Sequence, residues 1–110
     1  MPDLFAGHPV TDYDRALNWY RQLLGAEPAF YPNEREAVWP VSEHGYLYIE
    51  LLPEPAGHAR NLLFVEDLAE RVAAAAGRDL EPAAEERFDN GVRKVTYRDP
   101  DGNEVSFGGR

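Results

Sequence analysis

The chain has 110 residues, 44% hydrophobic and 12% aromatic, enough for one domain with a modest core that oligomerisation would help to complete. Twenty acidic against eleven basic residues give a net charge of −9, which opposes phosphate backbones and anionic membranes, aids solubility and favours cationic ligands. The lack of cysteine excludes thiol catalysis, disulfides and thiolate metal sites, so that only His and carboxylate groups remain as candidate metal ligands.

The N-terminal Met1-Pro-Asp-Leu-Phe5 lacks a basic segment ahead of an apolar run, and no stretch approaches the ~20 apolar residues that span a bilayer. A cytoplasmic protein that binds neither nucleic acid nor membrane is expected. Residues 4–10 read as a first strand, because Gly7 and Pro9 disfavour helix. Thr11 or Asp12 can cap a following helix, and Ala16, Trp19, Tyr20, Leu23 and Leu24 recur at spacings of three and four, giving it one buried face. Gly25 stands where a left-handed residue ends a helix, and Pro28 confirms the stop.

From 29 to 52 the apolar clusters 29–31, 37–41 and 46–52, separated by polar turns, predict three strands of an antiparallel meander. The Pro- and Gly-rich residues 53–59 predict a connection. The order then repeats: a strand at 60–65, a helix from about 67 to 76 closed by Gly77, a weak strand near 84–88, a strong one at 92–98, a tight turn at Asp99-Pro-Asp-Gly-Asn103, and a last strand from Glu104. The repetition is visible in the residues themselves. Val10, Asp12 and Tyr13 are echoed by Val65, Asp67 and Leu68, and Glu27-Pro28 by Glu81-Pro82. Each half has a helix for only one face of its sheet, and the other face must be covered by the partner half or a second chain.

Val10-Thr-Asp12 leading through Trp19-Tyr20 to Leu24-Gly25, the segment Leu63–Leu68, and the closing Asp99-Pro-Asp-Gly-Asn103 together resemble the vicinal oxygen chelate superfamily. That superfamily includes glyoxalases, extradiol dioxygenases, fosfomycin-resistance enzymes and bleomycin-binding proteins. The resemblance covers essentially the whole chain and implies an α+β, glyoxalase-like fold of two paired βαβββ modules forming a curved mixed sheet with a cleft. Residues 1–110 would be a single domain, with module one at about 1–53 and module two at about 60–110.

The resemblance also implies four metal-ligand positions. The first-strand position, seven residues before the helix-opening aspartate, falls on Phe5 in the first half and Arg60 in the second; the last-strand positions fall on Glu50 and Ser106. A divalent transition metal needs about three or more N or O ligands, and a guanidinium does not deprotonate to become one. A one-residue slip would exchange Arg60 for Asn61 without adding a strong ligand. No metal and no cofactor are therefore expected. Arg60 would lie near Glu50 and take over the electrostatic role of the ion.

Strand alternation puts Tyr46 and Tyr48 on the same face as Glu50, and turns His8 away from the face of Phe5. His44 belongs to a solvated turn, and His58 could reach the cleft from the connection. The expected ligand-binding set is Phe5, Trp39, Tyr46, Tyr48, Glu50, Arg60 and Ser106, with no catalytic residue assigned. An acidic aromatic cleft suits a small organic ligand, cationic or aromatic. The expected function is metal-independent small-molecule binding by a homodimer. The alternative is a metal-dependent lyase, isomerase or dioxygenase of the glyoxalase type, in which Glu50 holds an ion together with His58 or groups from another chain.

Overall fold

The computed structural model describes residues 2–110. The first βαβββ module consists of β1 (Leu4–Val10), α1 (Tyr13–Leu24), β2 (Phe30–Asn33), β3 (Glu36–Ser42) and β4 (Gly45–Leu51). The second repeats the order with β5 (Arg60–Phe64), α2 (Leu68–Gly77), β6 (Ala84–Arg87), β7 (Arg93–Arg98) and β8 (Glu104–Gly109). Each module carries its own four-stranded mixed sheet, ordered β1-β4-β3-β2 and β5-β8-β7-β6. In each, the strand before the helix lies parallel to the last strand of its module, while the remaining pairs are antiparallel. The α+β arrangement of two βαβββ modules expected from the sequence is thus the architecture found.

The two helices start differently. Asp12 caps α1, its carboxylate accepting the Arg15 N–H at 3.1 Å, and Gly25 closes the helix at φ 69°, donating its N–H to the Arg21 carbonyl. Asp67 makes no such cap on α2 and accepts instead from the Arg71 guanidinium at 2.7 Å. The end of α2 also differs from expectation. Gly77 is its last residue rather than its terminator, and the left-handed conformation falls on Asp79 at φ 64°. The last turn tightens as the Arg78 and Asp79 N–H groups donate to the Ala75 and Ala76 carbonyls. The Arg78 side chain then crosses to donate to the Gln22 and Leu23 carbonyls at the C-terminal end of α1.

The buried residues form one core shared by both modules. Val10, Tyr20, Trp39, Leu47 and Ile49 from the first and Leu68, Val95, Tyr97, Val105 and Phe107 from the second belong to the same cluster. These residues occupy the faces of the sheets that meet the helices. The opposite face of each sheet has no helix over it, which explains why Phe5, Leu62 and Phe64 remain exposed.

Candidate functional site

Alternation along β1 and β4 sorts the first module into two rows. His8, Val10, Leu47 and Ile49 are fully buried on the helix side, while Phe5, Tyr46, Tyr48 and Glu50 share the open side. Phe5 and Tyr46 are register partners, and their rings stack with centroids 4.6 Å apart. Tyr48 lies across Gly7, where an added Cβ would stand only 2.6 Å from the phenol oxygen. Glycine at that position makes room for the ring. Glu50 has no ion-pair partner among the described residues.

Two expectations need correction here. Trp39 does not line the open face: it is 1% exposed on the helix side, with its indole N–H donating to the Ala26 carbonyl at 3.0 Å and its ring beside Tyr20. Trp39 pairs with Leu47 across β3 and β4, and therefore shares the parity of the core row rather than that of Tyr46 and Tyr48. Arg60, in turn, is not paired with Glu50. Its Nε donates to Glu104 at 3.2 Å, and Arg98 donates to the other oxygen of the same carboxylate at 3.0 Å. Glu104 and Arg98 are neighbours on the sheet of Arg60, whereas Glu50 belongs to the other sheet. The two guanidinium groups hold the Glu104 carboxyl below the usual carboxylate range.

The open side of the second sheet carries Arg60, Leu62 and Phe64 from β5, Glu104 and Ser106 from β8, and Lys94, Thr96 and Arg98 from β7. Ser106 and Thr96 are buried, and their hydroxyl oxygens lie 2.8 Å apart in a hydrogen bond. Of the other imidazoles, His44 sits in its turn beside Asp3 at 3.0 Å, and His58 is exposed in the connection.

A buried polar chain, not anticipated from the sequence, joins the modules. The Tyr20 hydroxyl donates to Asp99 at 2.8 Å, so its one proton is used and the His8 Nδ1, also at 2.8 Å, must be the donor to it. The other ring nitrogen, Nε2, is then the acceptor, 2.8 Å from the Asn61 amide nitrogen. Burial outweighs the nearby Asp99 charge and lowers the His8 pKa to about 4, so the ring is neutral. Burial and Asp99 together push the Tyr20 phenol far up. Asp99 also accepts three backbone N–H groups of its own turn and the Asn103 side chain. Both nitrogens of His8 are occupied, which makes it a structural histidine. Its parity and the helical spacing of Tyr20, both pointing into one layer, were the available signals.

The model of the Glyoxalase/Bleomycin resistance protein/Dioxygenase superfamily matches residues 5–107. The chain belongs to this superfamily. A glyoxalase / bleomycin resistance protein from Catenulispora acidiphila DSM 44928 is 55% identical and superposes with a TM-score of 0.97, covering 100% of this chain and 99% of that one. Lactoylglutathione lyase from Agrobacterium tumefaciens is 20% identical, with a TM-score of 0.74 over 96% of this chain and 91% of its own. A bleomycin-binding protein complexed with bleomycin is 18% identical, with a TM-score of 0.75 over 100% of this chain and 98% of its own. These last two share the fold. No curated protein matches the sequence.

The superfamily's metal can be tested against the residues present. At the four implied positions stand a phenyl ring stacked on a tyrosine, one carboxylate, a guanidinium bonded to Glu104, and a hydroxyl bonded to Thr96. Among the described residues no group of three or more His, Asp or Glu side chains could hold an ion. This donor set does not fit the metal that membership of the glyoxalase superfamily implies.

Proposed function

We propose that this chain is a metal-independent small-molecule binding protein, residues 1–110 acting as one unit, whose ligand is an organic molecule held against the open sheet faces. The observation that carries the reading is the exchange of a metal set for an aromatic stack, Phe5 on Tyr46, with Tyr48 and the unpaired Glu50 in the same row. Rings of this kind bind flat organic groups by stacking, and a carboxylate beside them adds cation–π and charge attraction for a cationic one. That a relative of the same fold binds bleomycin supports a binding role.

The cleft is completed by a second copy of the chain. β1 and β5 are both edge strands, and they carry Leu4, Phe5, Leu62 and Phe64 at 47–72% exposure. Four of the eight exposed large apolar side chains among the described residues lie on these two edges, and an exposed apolar edge strand is what a partner covers. In such a homodimer the aromatic row of one chain faces the cationic row of the other. No helix of the described residues is long and apolar enough to cross a membrane. With a net charge of −9 opposing nucleic acid, the protein works in the cytoplasm on small molecules.

The test is elemental analysis of protein purified without chelator and then offered Ni, Zn, Mn and Fe, together with a thermal-shift screen of aromatic and cationic compounds. The expected result is less than stoichiometric metal and a melting temperature that rises with organic ligands. Stoichiometric metal retained after gel filtration would overturn the reading in favour of a lyase, isomerase or dioxygenase built on Glu50 with His58 or a partner's groups.

A further inference from the structure

The second sheet's open face has a local chemistry opposite to that of the chain as a whole. In a protein of net charge −9, it gathers Arg60, Lys94 and Arg98 against Glu104 and Glu86. Each Glu104 oxygen already accepts from one arginine, and Glu86 reaches Lys94 only at 3.8 Å. Between these groups lies a pocket of about 160 Å³ lined by Arg60, Asn61, Leu62, Lys94, Glu104 and Ser106.

The hydrogen bonds already made give this pocket a sign. Arg60 uses its Nε on Glu104, and its two terminal nitrogens make no hydrogen bond to the described residues. The Lys94 ammonium carries three donors and no acceptor. Of the bonded pair Thr96 and Ser106 only Ser106 lines the pocket, and with Thr96 donating to it the Ser106 proton is left for another acceptor. The only acceptor among the charged lining groups, Glu104, already has two guanidinium donors. A pocket that offers unspent protons at short range calls for a ligand group that has none.

We propose that this pocket takes an oxyanion, a carboxylate or phosphate group, and thereby anchors one end of the ligand whose ring stacks on the aromatic row. The assignment rests on the metal-independent binding reading above and names the chemical class of its ligand. A molecule with an aromatic body and an acidic group satisfies both sheet faces.

The test is a titration of the full chain followed by ¹⁵N-resolved amide shifts, at fixed ionic strength, with benzoate, phenylphosphonate, benzyl alcohol and benzylamine. Wild type is compared with Arg60→Gln, Lys94→Gln and Ser106→Ala. The expected result is that the two anions bind more tightly than benzyl alcohol, move the amides of Leu62 and Ser106, and weaken about tenfold in Arg60→Gln or Lys94→Gln, as loss of a charge-assisted bond demands. Benzoate and phenylphosphonate separate a carboxylate pocket from a phosphate one by their relative affinity. Benzyl alcohol binding as tightly as the anions, benzylamine moving the Leu62 and Ser106 amides as the anions do, or anion affinity unchanged in both charge variants, would overturn the pocket and leave the binding reading standing. If none of the four compounds moves any amide on either open face, both fail.

Discussion

The residue on which most depends is Tyr20, whose hydroxyl stands between a histidine of one strand and an aspartate of the far module. Removing that oxygen leaves the His8 Nδ1–H and one lobe of Asp99 without this partner in a buried site. Tyr20→Phe should therefore destabilise by about 1–3 kcal/mol in urea unfolding, more than the loss of an exposed hydroxyl would cost. The same chain has a pH signature. His8 has a pKa of about 4 in the folded protein against 6.5 in the unfolded chain, so the unfolded state binds the extra proton first. Its contribution is complete above pH 6.5 and is lost as the pH falls toward 4, at most about 3 kcal/mol over that window. Unfolding free energies of wild type and His8→Gln, measured between pH 7 and 4, should converge as the medium becomes more acidic.

At the scale of elements, the helices resemble each other in sequence more than in structure. Asp12 and Asp67 hold equivalent places in the repeat, yet only Asp12 accepts a backbone N–H of its helix's first turn. Asp12→Ala should cost about 1 kcal/mol, and Asp67→Ala distinctly less, a difference readable from paired thermal melts. The contrast also shows what could be read without coordinates. Periodicity and turn residues carried the order of all ten elements, because Gly25, Pro28 and the Asp99–Asn103 turn act locally. Strand alternation likewise sorted Phe5, Tyr46, Tyr48 and Glu50 from His8. Trp39 was misplaced because its face depends on register with Leu47, a non-local quantity. Arg60 was misassigned for a related reason, since its partner Glu104 is a cross-strand neighbour 44 residues away. The terminator of α2 was missed because the Arg78 side chain, reaching α1, helps to set the end of the helix.

For the whole molecule, the exposed apolar strands make a quantitative demand. Leu62 is 55% and Phe64 62% exposed in the single chain, so charging both positions would cost little if they faced water in solution. Under the proposed assembly, Leu62→Glu with Phe64→Glu should convert a dimer to a monomer in sedimentation equilibrium while the far-ultraviolet circular dichroism stays unchanged. A wild-type chain that sediments as a monomer at every concentration would dispose of the shared cleft.

The Asn103 side chain donates to the Pro9 carbonyl, and its own carbonyl oxygen accepts from the N–H groups of Gly57 and Ala59. One carboxamide thus grips the end of β1 and the second half of the linker from a third segment, and Thr11 adds a parallel hold on Asp101. A protease that nicked the backbone at Glu54 would sever the covalent thread without loosening the clasp, and the two pieces should travel together until denaturant parts them.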